Sequence, residues 1–353
     1  MMLWMTLAFA ETSAEVTVVA GARSAPESAI QVPVSWEGGF EPSGLLAVEA
    51  GVEHVSRQGL LVRGGLGAWG YAPDLDASLG HGELGLGWMR TIGGARLRIE
   101  GGADGELFPG ISGANNLRGE LLASVRSPGS APLGGGVTLR AVERAFVGTE
   151  NADYSFAELG VEGRWAASPA WTLQAGVGGE VNTPELWGEG LPGAQVRPWL
   201  RARWAGTRGF LEGEYRFVGA WGGLLDQNER PVFTPLADYA DDVDALSGDG
   251  FTQHRVSLRG AADLGKWRVA PSVFFRTRVY SVAACADGEL EGLCASVDAT
   301  QAWGAQLRLD APGGKTGLRP FVALGVNAAD RPAVMDGWGW VGFRWVSEAK
   351  APG

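Results

Sequence analysis

Lysine is almost missing from this 353-residue chain, which holds only Lys266, Lys315 and Lys350, and no block of basic residues interrupts it. With a formal net charge of −11 it lacks the footprint that proteins use to hold nucleic acid phosphates. It also lacks any apolar run near the roughly 18 residues a membrane-spanning helix needs. Histidine is confined to His54, His81 and His254, and cysteine to Cys285 and Cys294. Two thiols without neighbouring histidine make a poor zinc site, so neither a metal nor a cofactor is expected. In an oxidising compartment Cys285 and Cys294 can instead staple a loop.

What the chain does have is glycine, 56 residues of it, and a hydrophobic share of 45% at a mean hydropathy of zero. Such an average arises when apolar and polar residues alternate. A period of two puts successive side chains on opposite faces of a strand, whereas a helix repeats at 3.6. Between 115 and 127, Leu117, Leu121, Ala123 and Val125 alternate with Arg118, Glu120, Ser124 and Arg126. Between 266 and 282, Trp267, Val269, Val273, Phe275 and Val279 oppose Arg268, Ser272, Arg276 and Arg278. These runs exceed the ~9–11 residues of a tilted membrane strand.

The pattern predicts strands at 12–22, 44–56, 58–72, 79–91, 93–107, 115–127, 133–147, 153–166, 169–183, 194–206, 208–221, 250–264, 266–282, 296–311, 317–328 and 336–347. That is an all-β chain of about 16 antiparallel strands closed into a transmembrane barrel, with 14 or 18 as alternatives because 29–36 also alternates. Short links alternate with long ones from Ser56 onward, the longest being 222–249 and 283–295. Membrane barrels keep that order, with short periplasmic turns and longer extracellular loops. Trp88, Trp165, Trp171, Trp204, Trp221, Trp267 and Trp303 fall on the apolar face, mostly near strand ends, as an interfacial girdle requires. Residues 1–10 end in Ala8-Phe9-Ala10 and read as an export signal, followed by a barrel over 11–347 and a tail over 348–353.

In these features the chain resembles Gram-negative outer-membrane β-barrels of the general-porin size class. Its last strand, Gly337-Trp338-Gly339-Trp340-Val341-Gly342-Phe343-Arg344-Trp345-Val346, is similar to the aromatic-rich terminal strand that such proteins present to the barrel-assembly machinery. The resemblance implies an outer-membrane location among lipid and lipopolysaccharide, and a monomer or homotrimer.

If the apolar face meets lipid, the other face lines the lumen. Phase assigns to it twenty arginines against twelve carboxylates, an excess of +8 opposite in sign to the whole chain. Expected pore-lining residues are Arg96, Arg98, Arg118, Arg140, Glu212 and Glu214, with the densest cluster at Arg197, Arg201, Arg203, Arg255, Arg259, Arg276 and Arg278. Permanently charged guanidinium groups suit a channel passing small hydrophilic, anionic solutes. Two alternatives stand beside it. One is a plugged structural or adhesive barrel. The other is a rim hydrolase built on His81 and His254, near Asp74, Asp76 and Asp249. Asp238, Asp241, Asp242 and Asp244 lie on the longest loop, as a solvated run, a constriction or a cation site. Gly65-Leu66-Gly67-Ala68-Trp69-Gly70 and Gly314-Lys315-Thr316 resemble nucleotide-binding signatures, but neither has the strand-then-helix context those need.

Overall fold

A computed structural model describes residues 11–23, 43–72, 78–109, 115–128, 131–147, 154–184, 193–221, 251–280, 299–311, 317–330 and 333–350. Alternation is realised as sixteen strands: β1 (Glu11–Arg23), β2 (Ser43–Val55), β3 (Leu60–Ala72), β4 (Leu79–Ile92), β5 (Ala95–Leu107), β6 (Asn116–Arg126), β7 (Leu133–Phe146), β8 (Tyr154–Ala166), β9 (Trp171–Pro184), β10 (Gly193–Gly206), β11 (Gly209–Trp221), β12 (Phe251–Leu264), β13 (Trp267–Tyr280), β14 (Ala299–Asp310), β15 (Gly317–Asp330) and β16 (Ala333–Lys350). Every strand pairs antiparallel with its neighbours in sequence. β1 closes the ring on β16, in register from Glu11 opposite Lys350 to Arg23 opposite Trp338. Closure leaves no unpaired strand edge, the condition under which a sheet can sit in hydrocarbon. Among the described residues no helix is long and apolar enough to cross a membrane.

The ends of the barrel differ. At one end the links are short, and two of them show how the sequence makes them so. Gly93 and Gly94 join β4 to β5 with φ of 59° and 87°, the left-handed pair that a tight hairpin needs. Gly265, at φ 66°, turns β12 into β13. This is the periplasmic end by the loop-length rule, and the longer connections mark the extracellular end.

Two expectations need correcting. The final strand does not stop at 347 but runs to Lys350, because β1 offers partners down to Glu11. The connection expected over 329–335 is largely strand, since β15 and β16 remain paired from Asn327 opposite Asp336 to Asp330 opposite Ala333. As the sequence context implies, residues 65–70 lie inside β3, with 65–69 paired on both sides, and open no helix. Strand β1 is Glu11–Arg23; the export segment 1–10, the rival segment 29–36 and the tail 351–353 lie outside the described residues.

Candidate functional site in the barrel lumen

Strand parity sorts the side chains. Large apolar residues on one face are exposed all round the barrel, among them Leu46, Leu66, Leu84, Ile99, Leu121, Leu139, Leu159, Val181, Leu200, Val256, Leu324 and Val341. Exposed apolar surface around a whole circumference is tolerable only against lipid. The aromatic residues follow the same face: Trp165, Trp171, Trp204, Trp267 and Trp345 gather toward the periplasmic end, and Trp221 and Trp303 toward the other. The opposite parity carries the charges and faces the lumen.

There the arginines and carboxylates interlock across strands, as antiparallel register dictates when Glu212 stands opposite both Arg203 and Arg259, and Glu214 opposite Arg201. Glu212 receives Arg259 at 2.5 Å, Arg201 at 3.5 Å and Arg203 at 3.7 Å. Glu214 holds Arg201 and, at 3.0 Å, Arg216. On the neighbouring wall Arg197 reaches Glu158 at 2.7 Å and Glu180 at 3.3 Å, while Arg140 lies between Glu120 at 3.3 Å and Glu158 at 3.8 Å. Arg63 and Arg98 both grip the buried Glu100, and Arg344 bridges the closing seam to Glu15 at 2.5 Å. Such pairing is what allows so many charges to leave bulk water.

The structure divides the expected arginine cluster. Arg201, Arg203 and Arg259 converge on Glu212, whereas Arg197 belongs to the Glu158–Glu180 group. Arg216, Arg255 and Arg276 lie side by side at one level of β11, β12 and β13. Arg255 stands 5.2 Å from the Phe274 ring, and the buried Arg278 takes Gln253 Oε1 at 2.7 Å and packs on Phe251 at 4.3 Å. Arg96 and Arg98 are on β5, and Arg118 on β6 beside Glu120 at 3.5 Å.

Several lumen residues escaped the sequence reading. Glu15, Asp104 and Glu106 share the inward parity and line one cavity with Glu49 and Glu83. Among the described side chains they reduce the lumen's arginine excess from +8 to +5. Trp69, Trp199, Trp338 and Trp340 also point inward, against the girdle role of other tryptophans. The phase of Arg344 on β16 and of Arg197 on β10 would have found three of them. Trp338 and Trp340 stack at 4.6 Å, within an apolar cluster that includes Val19, Leu45, Leu79 and Phe108 on the extracellular half of the wall and reaches Phe321.

The histidines do not meet. His81 faces the lumen from β4, 5.4 Å from the Trp69 ring, whereas His254 faces outward from β12 and bonds the Tyr215 hydroxyl at 2.8 Å. His54 pairs with Thr12 at 2.7 Å. A catalytic pair of His81 and His254 is therefore ruled out by the barrel wall between them. Cys285, Cys294, Asp238, Asp241, Asp242 and Asp244 lie outside the described residues.

No protein-family model matches the chain, and no curated protein matches it. Solved structures do. A bacterial polysaccharide outer membrane secretin is 10% identical, with 94% of this chain and 97% of that chain covered and a TM-score of 0.50. OccK5 (OpdH) of Pseudomonas aeruginosa is 12% identical over 97% of this chain and 98% of its own, with a TM-score of 0.49. For OccAB3 of Acinetobacter baumannii the values are 9%, 96%, 99% and 0.47. The likeness to the secretin is one of fold. With the ring closed, the outer face apolar and the charges turned inward, the chain has the fold of outer-membrane β-barrels of the porin-like size class.

Proposed function

We propose that this barrel is a passive diffusion channel for small hydrophilic solutes, with a preference for anions, and that it is not an enzyme. The observation that carries the reading is a closed sixteen-strand ring whose inner face, among the described side chains, holds an arginine excess of +5. Barrels of sixteen strands are wide enough to leave an aqueous path. Guanidinium groups stay charged at any working pH, so the field they set does not titrate away.

A second reading, a barrel closed to solutes, is favoured by the axial distribution of burial. Near the periplasmic end Arg126, Arg203, Arg259, Asp263 and Arg268 are 47–58% exposed. Toward the extracellular end inward residues such as Trp69, Phe108, Arg144, Gln195, Phe251 and Arg278 are 0–5% exposed. Buried residues such as Leu61, Glu212 and Ala261 also lie near the periplasmic turns, but the most exposed inward charges are confined to that end.

Planar-bilayer recording under a salt gradient separates the two. The channel reading expects stepwise ohmic conductance with a reversal potential on the anion side. Folded protein that inserts and yields no steps overturns it in favour of the closed barrel; steps with cation preference overturn the anion preference alone.

A further inference from the structure

One hollow in the lumen wall is built differently from the rest. It occupies about 330 Å³ on the β6–β11 wall, and its lining includes inward glycines, Gly160 on β8 and Gly178 on β9. Beside them the Trp199 ring lies against Gly176, so close that a Cβ added at Gly176 would stand 2.7 Å from the ring. The ring is half-buried at the edge of the hollow, with the Arg201 guanidinium 5.3 Å from its centroid as a displaceable cover, and forms an aromatic shelf there.

The rim of the hollow is charged, but its charges are already matched. Arg197 is held by Glu158 and Glu180, Arg140 by Glu120 and Glu158, and Arg126 by Glu162 at 3.2 Å. An anion entering here must sit beside three carboxylates and displace an existing partner from arginine. A hydroxyl group meets no such conflict, because it donates to a carboxylate and accepts from a guanidinium at once. An apolar shelf with alternating donors and acceptors around it, in a volume at the lower end of ordinary ligand pockets, matches a ring that is apolar on its face and hydroxylated at its edge.

We propose that this hollow is a binding subsite for neutral hydroxylated rings, a single pyranose, stacked on Trp199 and hydrogen-bonded to the Arg140–Glu158–Arg197 group. The proposal rests on the channel reading only in that solute must reach the lumen. It adds a neutral cyclic solute to the anions that the overall field favours.

The test compares D-glucose with sorbitol, an open-chain hexitol with similar hydroxyls and no ring face, on the intact barrel. Saturation-transfer NMR in detergent micelles reads contact without requiring conductance, and current interruptions in bilayers read occupancy during conduction. Glucose should give saturable transfer and sorbitol little. Trp199→Ala should weaken the glucose signal about ten-fold, one decade of affinity for an aromatic contact, while Trp199→Phe keeps most of it. Gly160→Leu fills the hollow from a position where an added Cβ finds its nearest atom at 3.9 Å, and should remove the signal with folding intact. Equal binding of glucose and sorbitol, or undiminished binding in folded Trp199→Ala, overturns the subsite; if Trp199→Ala does not fold, Gly160→Leu decides. Glucose contact in a barrel that never conducts defeats the channel reading and leaves the subsite standing. Conductance without glucose preference does the reverse.

Discussion

At the scale of single residues, the account turns on which face each side chain meets. Leu121 is exposed at the middle of β6 and Ser124 has the opposite parity. Leu121→Arg should therefore cost about 2–4 kcal/mol in equilibrium unfolding from lipid vesicles, the depth-dependent penalty for a cation in hydrocarbon, whereas Ser124→Arg should cost little. Glu212 is buried and gathers Arg201, Arg203 and Arg259. Replacing it by Gln removes the counter-charge to all three. The expected outcome is a loss of roughly 1–3 kcal/mol of stability and a reversal potential displaced further toward the anion side. Most of these charges were legible from phase, because on β6, β8 and β11 Arg and Glu alternate with apolar residues or glycine. Glu15 was not, since β1 carries Val18, Val19 and Ala20 in succession and neither of its faces is clearly polar. Asp104 and Glu106 were hidden among glycines at the end of β5.

At the scale of strands and turns, alternation locates an element more surely than its ends. The sequence reading placed all sixteen strands and missed mainly where hydrogen bonding to a neighbour prolongs one past its apolar pattern, as in β15 and β16. No local signal announces such prolongation, because it depends on the length of the partner. The β4–β5 turn is different, since its geometry is written in Gly93-Gly94. With φ of 59° and 87°, these positions suit residues that tolerate the left-handed region. Gly94→Val should lower stability by about 1–2 kcal/mol in the same unfolding assay. Gly93→Asn, with no atom within 4 Å of an added Cβ, should be nearly neutral. Tryptophan shows the limit of reading by residue type. Trp165 and Trp199 look alike in sequence, and only the phase of their strands sends one to the membrane interface and the other to the lumen.

For the whole molecule, the claim on which the rest depends is that one ribbon closes with hydrocarbon outside and water inside. The ion-pair wall, the aromatic shelf and the direction of every substitution effect follow from that orientation. Cysteine scanning along β8 tests it most directly. In a variant lacking Cys285 and Cys294, single cysteines at Glu158, Gly160, Glu162 and Arg164 would be probed in liposomes with a membrane-impermeant thiol reagent, alongside Leu159, Val161 and Gly163. The account predicts that the even positions label and the odd positions do not. Uniform labelling, or labelling of Leu159 and Val161 with protection at Glu158 and Glu162, would contradict it.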